Sequence, residues 1–340
     1  MSFEYRSDGC RGSLITWEGH QLVVLENKWV RLSVSLTRGA EILEFRDKVT
    51  DEDLLWHGHP DIVQNTGGIQ STMAPSGVFL ENFAGGWQEV FPTGGDPTVY
   101  KGASFGQHGE VALLPWGLSV LEDSREKLVV EFSVKSRRFP LTLSRIIEIR
   151  ADEASVVVKG KATNVSAESI PFMWGHHISI GGAWAAPGVV MEIDKGVPMT
   201  VPEYDCPGYR WQQGQYEWPS VNRRDSTLED ATTLPDNDGT QGHLIFGPLD
   251  KGQISVVSAE LARRVTFEWP VDAFPYSWCW FVYGGGEGWP LWNQHRLITV
   301  EPFTSPVEDF ATLVERGQAP VIEPYGEYES SVTVRFSHAA

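Results

Sequence analysis

The sequence predicts an all-β protein, a single domain of packed, mostly antiparallel sheets that extends over residues 1–340. Short runs of alternating or β-branched apolar residues recur along the chain, whereas the 3.6-residue periodicity of helices is weak. The 34 glycines and 21 prolines are scattered, as expected for turns between many short strands. No fixed-period repeat or low-complexity linker is present, which argues against a propeller, a solenoid or a divided chain.

The predicted strands follow one another along most of the chain. In chain order they comprise residues 21–25, 30–36, 128–134, 141–149, 154–162, 254–259, 264–269, 297–303 and 331–336. Apolar and polar residues alternate most cleanly in 141–146 and 332–336, so one face of each of these strands is apolar.

Two helices and a long loop interrupt this succession. Apolar residues at helical spacing predict a helix over residues 307–316 with Gly317 as its stop, and a weaker signal indicates a helix near 226–233. The segment 202–242 is rich in Pro, Asp, Gln and Gly but also carries Trp and Tyr. Since long aromatic loops often pack over functional sites, we expect this segment to cover one.

The composition excludes several classes of protein. A net charge of −18 repels phosphate backbones and anionic lipids, so we expect neither nucleic acid nor a membrane as a partner. The sequence has no apolar run near the roughly 18 residues of a transmembrane helix and no apolar signal-peptide core, so a cytoplasmic location with reduced cysteines is expected. The 14 Trp residues are the positive clue, because indole faces suit the C–H faces of sugars.

Polar residues interrupt apolar strands in segments that could carry chemistry: residues 85–95, 105–110, 174–182 and 300–306. Taken alone, His108 fits a hydrogen-bonding turn residue and Glu301 fits a solvated carboxylate at a strand end. Taken together, a His near its neutral–cationic boundary and a Glu form a general acid/base pair. The adjacent His176 and His177 point to opposite faces if they lie on a strand, so they make a poor pair of metal ligands.

Familiar nucleotide-binding and calcium-binding motifs are absent from the sequence. The glycine-rich residues 283–288 lack the Lys-Ser/Thr ending of a P-loop. The acidic residues 234–239 lack the position-12 Glu of an EF-hand, and the three cysteines are far apart. We therefore expect neither a cofactor nor a metal.

The order of these motifs resembles the aldose 1-epimerase (galactose mutarotase-like) family over residues 20–336. The resemblance rests on G-G-x-x-x-x-F-P-x-x-G at residues 85–95, a His-Gly pair soon after it, a strand-borne His ahead of a Gly, and a late Glu. It implies a β-supersandwich of stacked antiparallel sheets with a groove on one side. It also implies interconversion of the α and β anomers of an aldose without a cofactor.

The resemblance assigns three catalytic residues. His177, in H-I-S-I-G, matches the family histidine that protonates the ring oxygen of the sugar. Glu301 matches the general base that takes the proton of the C1 hydroxyl. His108 matches a second histidine, which forms a hydrogen bond near the ring oxygen.

The substrate-binding residues are predicted from the same motifs. Many family members have an Asn and an Arg after the Phe-Pro of the first motif, where this chain has T-G-G-D at residues 93–96. Glu268 stands where the family commonly has an Asp that holds sugar hydroxyls. Trp87, Trp174, Trp278 and Trp280 each fit either core packing, the commoner role of such residues, or a stacking platform for the sugar, and Trp87 and Trp174 are favoured as platforms because they lie in the motifs. The predicted substrate-binding set is Glu268, Trp87, Gln88, Glu89, Trp174 and His176.

The charge of the substrate is constrained by what precedes the first motif. The family branch that acts on hexose 6-phosphates carries basic residues there, whereas this chain has E-N-F-A at residues 81–84. An unphosphorylated monosaccharide is therefore expected. A sulfonated or carboxylated sugar stays open if Arg46 or Arg210 reaches the groove, because an anion needs cationic donors.

Two other functions stay open beside a mutarotase. One is a non-catalytic carbohydrate-binding or regulatory module on the same fold, and the other is a lyase or hydrolase subunit with a wider cleft. The sequence names neither the sugar nor the oligomeric state, so a homodimer stays open.

Overall fold

The computed structural model describes residues 3–58, 77–204, 206–306 and 309–339, and this part of the chain is built mainly of β-strands. Its strands are β1 Arg11–Trp17, β2 His20–Glu26, β3 Val30–Ser35, β4 Ile42–Asp47, β5 Glu52–Asp53, β6 Trp87–Val90, β7 Thr98–Tyr100, β8 Ala103–Phe105, β9 Gly117–Asp123, β10 Lys127–Lys135, β11 Leu141–Arg150, β12 Ser155–Asn164, β13 Ile170–Pro171, β14 Gly175–Ile180, β15 Val190–Glu192, β16 Pro198–Val201, β17 Gly214–Glu217, β18 Ser220–Asn222, β19 Leu228–Asp230, β20 Thr240–Phe246, β21 Gly252–Ser258, β22 Arg263–Trp269, β23 Tyr276–Tyr283, β24 Arg296–Phe303, β25 Val321–Ile322 and β26 Glu327–His338. The helices in this part are α1 Gly77–Asn82 and α2 Phe310–Glu315, with 3₁₀ turns at Val111–Leu113 and Gly182–Trp184.

Two large sheets with antiparallel strand pairing organise these strands. The first runs in the order β1-β2-β3-β4-β6-β14-β24-β23-β20-β16-β17-β18-β19, with β5 paired to β4. The second runs in the order β15-β21-β22-β26-β12-β11-β10-β9, and two small sheets pair β13 with β25 and β7 with β8. The prediction of an all-β fold of stacked, mostly antiparallel sheets is confirmed.

The core lies between the two large sheets. In β11 apolar residues alternate with polar ones, and Leu143 and Ile147 are buried. The rings of Phe45 in β4 and Phe336 in β26 meet across the interface with their centroids 5.0 Å apart. Burying each such side chain stabilises the fold by roughly 1.5–3 kcal/mol, which is why the alternating strands fold onto one another.

The centre of the first sheet, formed by β6, β14, β24, β23 and β20, positions the polar side chains that the sequence singles out. Directly opposed residues of antiparallel strands project from the same face of a sheet. Three such cross-strand pairs occur here: His177 with Gln88, Glu301 with Trp278, and His243 with Trp280.

The helix predicted over residues 307–316 is present as α2, and residues 307–308 lie outside the described part. The Asp309 carboxylate caps it by accepting hydrogen bonds from the amides of Ala311 (3.0 Å) and Thr312 (3.2 Å). The predicted stop, Gly317, has a left-handed φ of 64°, which glycine adopts without strain. None of the helices in the described part is both long and apolar enough to cross a bilayer.

The helix predicted near 226–233 is wrong. Within this segment Leu228–Asp230 form β19, which pairs with β18 at the edge of the first sheet. The Asp225 carboxylate accepts hydrogen bonds from the amide (3.0 Å) and the hydroxyl (2.6 Å) of Thr227, and this local turn competes with a helix. The segment 202–242, predicted as a loop, contains β17, β18 and β19 as well.

Candidate active site

His177 and Glu301 face each other on neighbouring strands of the first sheet. Nε2 of His177 lies 3.7 Å from Oε1 of Glu301, and both side chains are buried. This distance is longer than a hydrogen bond, so the two side chains are neighbours but are not hydrogen-bonded to each other. Strand alternation in β14 turns His177 to this face and His176 to the opposite one, as the sequence predicts.

Hydroxyl groups hold both members of this pair. The Thr299 hydroxyl donates to Oε1 of Glu301 at 2.6 Å, and the oxygen of that hydroxyl accepts from the amide of Trp280 at 2.7 Å. The Ser179 hydroxyl lies 3.3 Å from Nδ1 of His177. The carboxylate and the imidazole are therefore oriented by the strands that carry them, with Nε2 of His177 on the side of Glu301.

Burial sets the protonation of His177. Loss of water around the ring lowers the pKa of His177 to about 4, because the charged imidazolium is poorly solvated there. The imidazole is therefore neutral at pH 7 before a ligand binds.

His108 approaches the same place from a turn. Its backbone is left-handed, with a φ of 59°, and its ring centroid lies 5.6 Å from that of His177. The amide of Gly95 donates to Nδ1 of His108 at 3.2 Å, which leaves the ring proton on Nε2. Burial, followed by the nearby His177 and His243, holds the pKa of His108 well below its usual range.

A cavity of about 450 Å³ opens above these groups. Aromatic, histidine and acidic side chains dominate its wall, which is formed by Trp56, Phe79, Leu80, Glu81, Phe83, Gly95, Asp96, Gln107, His108, His177, Tyr204, Gln241, His243, Trp278, Trp280, Gly286, Glu287, Gly288, Trp289, Pro290, Leu291, Trp292, His295 and Glu301. The described residues include every Lys and Arg of the chain, and none of them lines the cavity. The described part also contains no cluster of His, Cys, Asp and Glu arranged to hold a metal ion.

The two arginines considered for an anionic sugar lie elsewhere. Nε of Arg210 donates to the Glu229 carboxylate at 3.0 Å, and its guanidinium also pairs with Asp238. Nε of Arg46 lies 3.1 Å from the Glu44 carboxylate. Both guanidinium groups are thus already paired with carboxylates outside the cavity wall.

His243 is a cavity residue that the sequence reasoning missed. Its ring is stacked between Tyr204, at 5.1 Å between centroids, and Trp280, at 5.9 Å. Burial lowers the pKa of His243 to about 3, and its Nδ1 has no hydrogen-bond partner among the described residues. The available signal was T-Q-G-H ahead of L-I-F, a polar start to an apolar strand, which Gln241 shares.

Four of the predicted substrate-binding residues lie on the core side of the first sheet instead. Trp87 and Trp174 are fully buried, and their indole N–H groups donate to Nδ1 of His176 (3.1 Å) and to the Glu89 carboxylate (2.8 Å). Arg145 of β11 completes this network, with its Nε 3.0 Å from Glu89 and its guanidinium 5.2 Å from the centre of the Trp87 ring. The structure does not bring these residues to the cavity, because strand alternation points them towards the second sheet.

The other two predicted substrate-binding residues also lie away from the cavity wall. Gln88 shares a face with His177, but its amide donates to the Glu41 carboxylate and to the carbonyl of Gly85. Glu268 is exposed on β22 of the second sheet, opposite Gln253. Its place in the sequence pattern resembles that of a sugar-binding Asp, whereas its strand belongs to the other sheet.

Comparisons with known families and curated proteins give one match. A family model described as a domain of unknown function, DUF4432, matches residues 17–336. A comparison with curated proteins gives no significant match.

Solved structures share the fold. A Klebsiella pneumoniae subsp. pneumoniae protein provisionally named an aldose 1-epimerase is 14% identical, with a TM-score of 0.73 over 97% of this chain and 85% of the other. A galactose mutarotase related enzyme from Lactobacillus acidophilus is 16% identical, with a TM-score of 0.61 over 94% and 98%. A galactose mutarotase-like protein from Lactobacillus casei is 18% identical, with a TM-score of 0.57 over 93% and 100%. The chain therefore has the galactose mutarotase-like β-sandwich fold.

Proposed function

The chain belongs to the DUF4432 family, and we propose that it is an aldose 1-epimerase that interconverts the α and β anomers of an unphosphorylated hexose or related aldose. The observation that supports this most strongly is the pair formed by His177 and Glu301, 3.7 Å apart on the floor of the cavity. A base and an acid this close reach the C1 hydroxyl and the ring oxygen of one sugar, which are bonded to the same carbon.

The proposed reaction moves one proton at each of two oxygens. Glu301 takes the proton of the C1 hydroxyl while His177 protonates the ring oxygen, so the bond between C1 and the ring oxygen breaks and C1 becomes an aldehyde. Rotation about C1–C2 turns the other face of the aldehyde to the ring oxygen. Ring closure then returns one proton to His177 and the other from Glu301 to the new C1 hydroxyl.

Two further histidines suit sugar hydroxyls. Since Gly95 donates to Nδ1 of His108, the Nε2–H of His108 is left to donate to an oxygen of the sugar. The ring of His243 lines the same cavity and stacks on Tyr204 and Trp280. We propose that these two groups orient the ring and that Trp278 and Trp280 pack against its C–H face.

The wall of the cavity supports an uncharged substrate. Its charged side chains in the described part are the carboxylates of Glu81, Asp96, Glu287 and Glu301, with no Lys or Arg. A phosphate, sulfonate or carboxylate there would meet negative charge without a cationic donor.

A non-catalytic sugar-binding module is the second candidate function, and one observation favours it. With a pKa of about 4, His177 is largely unprotonated at pH 7, which weakens it as an acid but not as a hydrogen-bonding group. A module of this kind binds sugars in the same cavity without changing the rate of anomer exchange.

Replacement of the two proposed catalytic groups tests the proposal. We expect Glu301→Gln and His177→Asn each to lower kcat by about 100-fold or more, because each removes a proton carrier and keeps a polar side chain of similar size. The rates are measured by polarimetry on freshly dissolved α anomers of glucose, galactose and other common hexoses.

Glu329→Gln is the matched control. It replaces a carboxylate with an amide, as Glu301→Gln does, but Glu329 is exposed on β26 of the second sheet. We expect it to retain the wild-type rate. Equal rates for wild type, Glu301→Gln and His177→Asn on a sugar that wild type accelerates would exclude the proposed roles.

A further inference from the structure

The loop between β23 and β24 presents two tryptophans at the mouth of the cavity. Trp289 and Trp292 are 51% and 59% exposed, and both belong to the cavity wall. Large aromatic side chains exposed together at the mouth of a cavity indicate a binding site. Their position continues the wall that begins at the catalytic pair.

Backbone hydrogen bonds and a buried anchor fix this loop. The amide of Trp292 donates to the carbonyl of Gly288 at 2.6 Å, and the amide of Asn293 donates to that of Gly286 at 2.9 Å. Between the two tryptophans, Leu291 is buried in a small apolar cluster that also contains Trp56, Val282 and Leu297. These hydrogen bonds and the buried Leu291 fix the turn that carries the two indoles. The indoles are therefore exposed because of the conformation of the loop.

The surroundings of the two indoles indicate the class of ligand. Glu287 and Asp96 are exposed carboxylates of the same wall, and they suit hydroxyl donors. No Lys or Arg lines the cavity in the described part, which contains every cation of the chain, so an anionic ligand is disfavoured. An uncharged ring with an apolar C–H face and hydroxyl edges fits both the indoles and the carboxylates.

We propose that Trp289 and Trp292 form an outer subsite for the second ring of an uncharged reducing saccharide, whose reducing ring lies at His177 and Glu301. This rests on the proposed function, which requires a free C1 hydroxyl on the inner ring. The second ring is therefore joined through a hydroxyl other than that of C1. It extends from the catalytic pair towards the mouth, where the two indoles stack on it.

Comparison of disaccharides with glucose tests this subsite. Polarimetry gives kcat/KM for glucose and for the reducing disaccharides maltose, cellobiose and lactose. We expect wild type to prefer at least one disaccharide to glucose. Trp289→Ala and Trp292→Ala are each expected to lower the ratio of kcat/KM for the preferred disaccharide to kcat/KM for glucose roughly tenfold. This change corresponds to the loss of one aromatic contact.

Trp17→Ala is the control, because Trp17 is also an exposed tryptophan (46%) but lies on β1, outside the cavity wall. We expect it to leave the ratio unchanged, and Trp292→Phe to retain most of it because the aromatic face is kept. A ratio that is unaffected by both Trp→Ala changes, or no preference for any disaccharide, would overturn the subsite.

Binding separates failure of the subsite from failure of the proposed reaction. Calorimetric titration of wild type, Trp289→Ala and Trp292→Ala with methyl β-cellobioside and methyl β-maltoside uses probes that have no free C1 hydroxyl. Binding that weakens in both Trp variants supports the subsite even if no sugar is mutarotated. If wild type, Trp289→Ala and Trp292→Ala all bind both probes equally weakly while glucose is still mutarotated, the subsite is contradicted. The proposed reaction is then still supported.

Discussion

His177 shows how the environment of a residue decides its chemistry. Burial lowers its pKa to about 4, so the neutral form predominates at pH 7. The proposed acid is therefore a strong proton donor that is scarce in the unliganded protein. The protonated form of His177 becomes more abundant as the pH falls, whereas an exposed histidine with a pKa near 6.5 is already mostly protonated below about pH 6.

The pH dependence of kcat/KM follows from this shift. Because the protonated His177 is lost as pH rises through about 4, we expect kcat/KM to fall progressively between about pH 5 and pH 8. No break is expected near 6.5, the value of an ordinary histidine. Polarimetry on one accepted hexose across this range provides the profile.

Titration of the His177 ring by NMR provides an independent check of this profile. Its resonance, identified by its loss in His177→Asn, is expected to keep the chemical shift of neutral imidazole down to about pH 5. A midpoint near 6.5 together with a break in kcat/KM at the same pH would contradict the effect of burial.

At the scale of the element, β14 serves two purposes through its alternation. His177 faces the cavity, while His176 faces the core, where it accepts from Trp87 next to the buried pair of Glu89 and Arg145. Neither Arg145 nor Glu89 is exposed to water, so each depends on the other for compensation of its charge. We therefore expect the network beneath β14 to stabilise the fold rather than to bind a ligand.

Glu89→Ala tests that role. The change leaves Arg145 buried without its carboxylate, so we expect the free energy of unfolding to fall by about 3–5 kcal/mol. Urea unfolding followed by tryptophan fluorescence measures it. The exposed Glu329→Ala serves as control and is expected to change the free energy of unfolding by no more than about 0.5 kcal/mol.

If Glu89 instead binds the sugar, Glu89→Ala would lower activity and leave the unfolding midpoint close to that of Glu329→Ala. That result would restore the role predicted from the sequence and contradict the structural one.

Alternating or β-branched runs predicted nine of the 26 strands in the described part, β11 and β26 among them, because burial between two sheets requires an apolar face on each strand. The same two-residue alternation correctly predicted that His176 and His177 point to opposite faces of the sheet. It did not reveal which side of β6 faces the core, so Trp87 and Glu89 were predicted as binding residues. Glu268 shows a second limit, because its sheet is decided by pairing between strands that are distant in the sequence.

At the scale of the whole molecule, the order of motifs and the composition predicted the fold, whereas the cavity wall depended on long-range contacts. His243 joins the wall because β20 pairs with β23, and nothing near it in the sequence indicates that neighbour. The tryptophans likewise fall into two groups, in the core and in the cavity wall. Trp87 and Trp174 pack in the core, and Trp278, Trp280, Trp289 and Trp292 line the cavity.

The net charge of −18 has a local counterpart. Every Lys and Arg lies outside the cavity wall, and the two arginines that were considered for an anionic sugar are paired with carboxylates. The proposed site is thus lined by negative charge, as is expected from the net charge of the whole chain. This favours neutral sugars over phosphorylated ones.

Two-dimensional exchange NMR of anomeric protons tests the central claim most directly. Wild type is mixed with a panel of neutral reducing sugars at equilibrium, and the exchange between the α and β signals is followed at catalytic protein concentration. We predict exchange cross-peaks for at least one sugar that are absent without protein and absent with Glu301→Gln. Saturable sugar binding without any such exchange would contradict the account and identify the protein as a binding module.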